Sequence, residues 1–415
     1  MPFGRVKYSS VNGKKPIVVF TAIVKDEEHV ILKSLDDCRQ GGLINAVAIV
    51  DNGSQDNTVS VIRDYIRQHN LAGDVLCDSW YHFDGTRNIS FAYAEYVYCC
   101  MCSGVTDYQP KSRQSMYFNE TSLRKLGVSG LRQTNWDALS EDLYPYRQNM
   151  KMYDERVGYI WNMDADDRLC KLPAQLQLQA DYHWISMAEM DNSSFRYRRT
   201  NLFRIHPHLN FRWIYRIHET VSTPIHPQRR QGMAYLDDML VVYSCRTGGR
   251  SLDPHKSLKD AIECELAATE DGRMEYLRYT FYAAQSYSDA GFNDRAISTY
   301  KLFLSQEDAV THHQGNEYYV SCLRLSRMLK KKSDRLYYLY LAMDAVPTRL
   351  EAPYEIFNIH NKSCPRLAYE ALRHYASIPP VDINSFLFVE RNINVEWFYN
   401  SMAIAGYEFH LDQLQ

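Results

Sequence analysis

The sequence predicts an α/β fold, a mostly parallel doubly wound sheet, followed by an all-α domain of helical repeats. Three observations carry this expectation. Short apolar runs rich in β-branched residues alternate with amphipathic stretches from Ile17 to Met163. Each of three such runs opens directly into an acidic cluster. Beyond about Asp253 the strand pattern stops and helical periodicity takes over. Strands alternating with helices imply parallel βαβ units, in which ligands bind beyond the carboxyl ends of the strands.

The elements follow in order. Ile17 to Val24 is continuously apolar, the pattern of a strand buried on both faces. Val30, Ile31, Ser34, Leu35 and Cys38 fall at helical spacing, and Gly41-Gly42 ends that helix. Ile44 to Val50 is a second buried strand, Asn57 to Gln68 a second helix, and Val75 to Cys77 a short third strand. Arg87 to Val97 reads as a helix and Tyr159 to Met163 as a further strand. Between them, about 99–156, the alternation breaks in a stretch rich in Tyr, Ser, Asn and Gln. A structureless loop of that length is improbable in a compact domain, so an inserted subdomain or lid is expected. In Tyr276 to Gln306, Ala284, Tyr287, Gly291, Ala296 and Tyr300 have the spacing of a tetratricopeptide repeat. Cys322 to Lys330, Asp334 to Ala345 and Arg366 to Tyr375 are further helices, which read as degenerate repeats, with a plain helical bundle the alternative. The expected domains are 1–248 and 249–415.

Composition narrows the class. Of 415 residues, 45% are hydrophobic and 23% charged, as in a folded soluble chain, and the net charge of −3 gives no overall attraction to nucleic acid or anionic lipid. No apolar run approaches the roughly 20 residues that span a bilayer, and the N-terminal stretch lacks a signal-peptide core. A cytoplasmic location is expected. Cys99 and Cys102 form one CxxC pair with no second pair at zinc spacing, which favours reduced thiols.

The chemistry concentrates at strand ends. The strand that ends at Met163 delivers Asp164, Asp166 and Asp167 together. Crowded carboxylates raise one another's pKa, and a divalent cation relieves the conflict; all-oxygen ligands select Mg²⁺ or Mn²⁺. An Asp capping the next helix would explain the same residues structurally. In Asp51-Asn52-Gly53-Ser54, Asp51 ends the second strand and can accept a hydrogen bond from a base or ribose, while Asp56 or Asn57 can cap the following helix.

Together, IVKDEEHVILKSLDDC, IVDNGSQDNT, GTRNISFAYA and WNMDADD resemble family 2 glycosyltransferases of the GT-A fold, over roughly the first 245 residues. The resemblance implies that Thr21, Glu27, Asp51, Arg87 and Asp164 bind the nucleotide and that Asp166 binds the metal. Two departures stand out. Asp26 replaces the usual asparagine, and the normally short link before the DxD strand holds the 99–156 insertion. The run Asn201-Leu-Phe-Arg204, Phe211 and His218-Glu219 resembles a segment of family 2 enzymes fused to helical repeats. His218 is chemically suited to be a further metal ligand and Glu219 a general base, with Asp167 the rival base; a core histidine and an acid paired with one of the nearby arginines would explain the same residues structurally. Residues 194–230 hold eight arginines, four histidines and one acid, interleaved with Phe195, Tyr197, Phe203, Phe211, Trp213 and Tyr215. Part of that charge is expected to neutralise a diphosphate.

The expected activity is metal-dependent, inverting transfer of a sugar from a UDP- or GDP-sugar to a hydroxyl on a glycan, protein or modified nucleobase. A nucleotidyltransferase is the first alternative, although Lys25-Asp26-Glu27-Glu28 stands where such an enzyme carries a Gly-rich phosphate loop. A catalytically inactive helical-repeat scaffold is the second. A homodimer through the helical domain is the expected assembly.

Overall fold

The computed structural model describes residues 5–10, 13–111, 139, 141–189, 196–209, 211–222, 232–236, 239–271, 273–377, 386, 388–390, 392–393, 397–398, 400–404 and 406. The chain divides into two compact units. One comprises Met1–Asp191 with Arg198–Asp253, the other Asn192–Tyr197 with Pro254–Gln415. The middle of the expected insertion (112–138 and 140) and parts of the basic run (194–195, 210 and 223–230, with Phe195 among them) lie outside the described residues.

The first unit opens with β1 (Lys7–Tyr8), then β2 (Ile17–Val24), α1 (Ile31–Gln40), β3 (Ala46–Asp51), α2 (Thr58–Gln68), β4 (Ala72–Cys77) and α3 (His82–Ser103). After α4 (Met150–Glu155) come β5 (Gly158–Asn162), β6 (Arg168–Lys171), β7 (Gln175–Leu176), β8 (Tyr182–Glu189) and β9 (Arg196–Ile205). The last strands are β10 (Arg212–Ile214), β11 (Thr220–Ser222), β12 (Met233–Tyr235) and β13 (Val241–Ser244). The large sheet runs β4-β3-β2-β5-β9-β8-β13-β6, with β12 beside β8. β4, β3, β2 and β5 are mutually parallel, whereas β9 is antiparallel to β5 and β6 to β13. The chain steps outward from β2 to β3 and β4, then returns to β5 on the other side of β2. That reversal opens a crevice at the carboxyl ends of β2 and β5.

Both faces of β2, β3 and β5 are covered, which is why their sequences are almost wholly apolar, whereas the edge strand β4 carries Asp74. Val18, Phe20, Ala22 and Val24 join Ile31, Leu35, Ile62 and Ile66 in one core. Ile17, Val19, Ala46, Ala48 and Val50 point the other way, into a core built on α3, where Ile89, Phe91, Tyr93 and Val97 are buried. α3 runs from His82 to Ser103, longer at both ends than the expected Arg87–Val97 and into the 99–156 stretch. Cys99 and Cys100 continue its buried face, and Gly104 caps it in the left-handed conformation (φ 72°). All ten cysteines are free thiols, and the pair Cys99 and Cys102 lies on this helix.

The second unit, in its described residues from Lys256 on, is helical: α5 (Lys256–Glu270), α6 (Arg273–Asp289), α7 (Asn293–Leu304), α8 (Asn316–Met328), α9 (Lys332–Ala345), α10 (Glu351–His360) and α11 (Pro365–Arg373). Each helix packs against the next in chain order. Between α6 and α7, Gly291 takes a left-handed turn (φ 79°), and Ala284, Tyr287, Ala296 and Tyr300 are buried where the two helices meet. Among the described residues, no helix is long and apolar enough to cross a membrane.

Candidate active site

Two acidic loops leave the carboxyl ends of β2 and β3 and clasp one another. Asp26 Oδ1 accepts from Gln55 N at 2.6 Å, and Glu28 Oε2 accepts from Asn57 N at 2.9 Å. In return Asp26 N donates to Ser54 Oγ and Glu28 N to Asp56 Oδ2. Asp56 also accepts from Thr58 N at 2.9 Å, so it is the acid that holds the start of α2. Asp26 has a left-handed backbone (φ 56°), a conformation that Asn and Asp tolerate better than other side chains do. That shared tolerance accounts for an aspartate where the resemblance expects asparagine.

The carboxyl end of β5 meets α3 and the turn after β10. Arg87, in the first turns of α3, donates from Nη2 to Asp164 Oδ1 and from Nε to Glu219 Oε1, both at 2.7 Å. Arg199 on β9 donates from Nη1 to Asp164 Oδ2 at 2.8 Å, and the same nitrogen lies 4.0 Å from Asp167 Oδ2. One carboxylate thus sits between two guanidiniums, and one guanidinium ties together two carboxylates from separate elements. The Arg87 plane also lies over the Trp213 ring, 5.0 Å from its centroid. Asn88 fixes the approach of that turn: its side chain donates to Trp213 O and accepts from Trp213 N. Tyr215 and His218 have left-handed backbones (φ 76° and 53°), so the turn is irregular where Glu219 reaches Arg87.

A third group forms where residues 247–249 cross the crevice. Thr247 N and Gly248 N both donate to Asp166 Oδ2, at 2.7 and 2.8 Å, and Gly249 N donates to Glu27 Oε1 at 3.0 Å. A Cβ at position 248 would stand 2.9 Å from Glu27 Oε1 and 3.2 Å from Asp166 Cγ, so glycine is required for this approach.

The electrostatics differ from one carboxylate to the next. Burial would raise the Asp164 pKa, but the charges of Arg199 and Arg87 outweigh it and hold the carboxyl well below the usual range. Glu219 follows the same balance: burial opposes ionisation and Arg87 overrides it, lowering its pKa. Burial and the Asp164 charge instead push Asp167 well above the usual carboxylate range. Burial pushes Glu27 up to about 7, reinforced by Asp166 and opposed by the Gly249 N–H.

The structure therefore gathers Arg87, Asp164 and Glu219 into one contact network, with Asp167 beside Arg199. Glu27 and Asp166 meet through the 247–249 backbone. Thr21 stands apart: it is fully buried within β2, and its hydroxyl donates to Ala48 O at 2.7 Å. Asp51 is 2% exposed, with both oxygens engaged by its own turn, Oδ2 by Gly53 N and Ser54 N at 3.1 Å and Oδ1 by the Ser54 hydroxyl. Neither Asp166 nor His218 belongs to a group of three His, Cys, Asp or Glu ligand atoms within 4.8 Å of one another among the described residues. Their fit to an ion rests on donor chemistry. Both loop N–H groups use the same Asp166 oxygen, which leaves Oδ1 for a hard cation whose remaining sites phosphate and water can fill. Arg199, Asn88 and the 247–249 backbone are parts of the site that sequence reasoning did not single out. Arg199 was one cation in a run of eight, and Asn88 stood inside the GTRN motif without a role.

No family model matches this chain, and no curated protein matches it. Among solved structures, the crystal structure of S. aureus TarS 1-349 is similar at 10% identity and a TM-score of 0.29, covering 80% of this chain and 89% of that one.

Proposed function

We propose that the chain is a glycosyltransferase that uses a nucleotide diphosphate sugar as donor and a divalent cation at the acidic strand end. The observation that supports this best is the bridge from Asp164 through Arg87 to Glu219 at the carboxyl ends of β2 and β5. It brings a guanidinium and two carboxylates together beside the crevice where open parallel sheets bind nucleotides, which supports a site for a charged donor there.

In this reading Glu27, Asp51, Arg87 and Asp164 form the donor side and Thr21 supports it from within the sheet. Asp166 and His218 hold Mn²⁺ or Mg²⁺, which when bound neutralises charge on the departing diphosphate. Glu219 is the general base. Arg87 keeps it ionised and orients it through Oε1, so it takes the proton of the acceptor hydroxyl as that oxygen attacks the anomeric carbon. The bond from that carbon to the diphosphate breaks with its electron pair on the leaving group, and configuration inverts. Asp167, at 2% exposure, is less accessible to an acceptor than Glu219. We read the first domain as GT-A, with the 99–156 stretch on the acceptor side, and α5–α11 as tetratricopeptide-like.

The test is a thermal-shift and turnover series on the full chain with UDP- and GDP-sugars, with and without Mn²⁺. A nucleotide diphosphate at about 100 times its Kd stabilises by about 2.7 kcal/mol, and this shift should require the cation and fall sharply in Asp166→Asn. Glu219→Gln should bind donor nearly normally and lose roughly 10²–10⁴ in kcat, whereas Asp167→Asn should keep most of it. His218→Ala should weaken cation and nucleotide together. No stabilisation by any nucleotide diphosphate would overturn the reading, and near-normal kcat in Glu219→Gln would move the base elsewhere.

A further inference from the structure

The helical unit carries a ligand set that the α/β unit does not use. Between α7 and α8 the chain makes a short 3₁₀ turn, His312–Gly315, and α8 begins at Asn316. His312 Nδ1 lies 2.8 Å from Glu317 Oε2, and His313 Nδ1 lies 3.1 Å from Glu317 Oε1. The two imidazoles are stacked, with centroids 4.2 Å apart and planes 19° from parallel, so both Nδ1 edges face the same carboxylate. Among the described residues, these three form the one group of three His, Cys, Asp or Glu ligand atoms within 4.8 Å of one another.

We propose that His312, His313 and Glu317 bind a first-row transition ion, with zinc the best match, independently of the acidic site in the α/β unit. Two imidazole nitrogens and one carboxylate oxygen suit zinc, whereas Mg²⁺ and Ca²⁺ prefer all-oxygen sites. With metal–ligand bonds of about 2.0–2.1 Å, neighbouring tetrahedral ligands stand about 3.3 Å apart. The observed 2.8 Å to Oε2 and 3.1 Å to Oε1 lie within about 0.2–0.5 Å of that spacing, each on its own oxygen. The three ligand atoms of the group lie within 4.8 Å of one another, so the carboxylate and the rings have only to adjust locally for an ion to replace the shared protons.

The surroundings supply an anchor and an entry path. Glu317 is fully buried, and Arg278 Nη1 donates to its Oε1 at 3.4 Å, orienting the carboxylate from the protein side. The His313 side chain is 39% exposed, so the remaining coordination position opens toward water. His313 and Gln314 have left-handed backbones (φ 47° and 58°), followed by Gly315 (φ 76°). Two consecutive non-glycine residues in that region are held there by their surroundings, and the result is two adjacent imidazoles turned to one acid.

Without an ion, the same contacts are two Nδ1–H donors on one carboxylate, and the experiment separates the two states. Metal-stripped full-length chain is titrated with Zn²⁺ by calorimetry and with Co²⁺ by visible absorption, in excess Mg²⁺ to occupy the acidic site of the α/β unit. Wild type should bind one equivalent and give the intense bands of low-coordinate Co²⁺. His313→Ala, a change at a half-exposed side chain that should leave the fold intact, should weaken binding by at least about 10–100-fold and lose those bands. Asp166→Asn should retain both. Octahedral-type Co²⁺ spectra in wild type, or equal affinity in His313→Ala, would overturn the proposal and leave the cluster a hydrogen-bonded cap on α8.

Discussion

Arg87 Nη2 stands 2.7 Å from Asp164 Oδ1, a contact that joins the first turns of α3 to the carboxyl end of β5 across 77 positions of sequence. The same guanidinium holds Glu219, 132 positions away, through its Nε. Its side chain is 6% exposed, so little water competes for these bonds. Loss of the guanidinium would leave Glu219, 13% exposed, without its ion-pair partner, whereas Asp164, 34% exposed, would keep Arg199.

Arg87→Lys should therefore be far from conservative. An ammonium offers a point charge instead of a planar fork, and cannot bond Asp164 and Glu219 in this geometry while lying over Trp213. The expected outcome is a folded protein with a lower melting temperature and nucleotide diphosphate binding weakened at least about tenfold, which is about 1.4 kcal/mol. Calorimetry and thermal denaturation check this. Unchanged affinity and stability would show that the bridge is incidental.

Gly248→Ala tests the 247–249 crossing. The added methyl would stand under 3 Å from Glu27 Oε1 and close to Asp166 Cγ, so either the carboxylates shift or the segment lifts away. Cation-dependent nucleotide binding should fall. Gly249→Ala is the control: its nearest neighbour would be Asp26 O at 3.3 Å, and its effect should be smaller. Equal effects of the two substitutions would remove Gly248 from the site.

The third expectation concerns acid stability. His183 on β8 is 1% exposed and packs edge-on against Tyr159. Burial lowers its pKa to about 4 from the ordinary 6.5, with Asp181 pulling the other way. Below about 6.5 the unfolded chain takes up a proton that the folded chain refuses until about 4. Stability is thus complete above 6.5 and falls as pH drops through that window, by on the order of 2 kcal/mol between 6.5 and 5. Denaturant titrations at pH 7.5 and 5 should show this slope in wild type and a reduced one in His183→Phe. Identical slopes would mean that His183 is not the group responsible.

The half of the sheet that sequence alone determined is the one buried on both faces. β2, β3 and β5 are legible because a strand covered on two sides is almost wholly apolar, and α1 and α2 because only one face of each is buried. β4 (AGDVLC), at the sheet edge, showed only its Val75–Cys77 end, because Asp74 interrupts the apolar run. β8 and β9 were not legible. β9 reads RYRRTNLFRI, and polar members of it meet partners far away in sequence: Asn201 donates to Asn162 O at 2.6 Å, and Arg204 Nη1 lies 3.7 Å from Asp181 Oδ1. The helices of the second unit were visible from periodicity, but the stacked His312 and His313 were not, because left-handed residues leave no periodic signature. The acids at strand ends could be read in sequence, since strand ends are marked by the switch from apolar to polar residues. Which cation meets which acid could not. Pairings such as Arg87 with Asp164 and Glu219, or Thr247 and Gly248 with Asp166, depend on strand order and on the path of three separate turns. Charge has no periodicity, so only the folded chain shows that Arg199, within this arginine-rich run, faces Asp164.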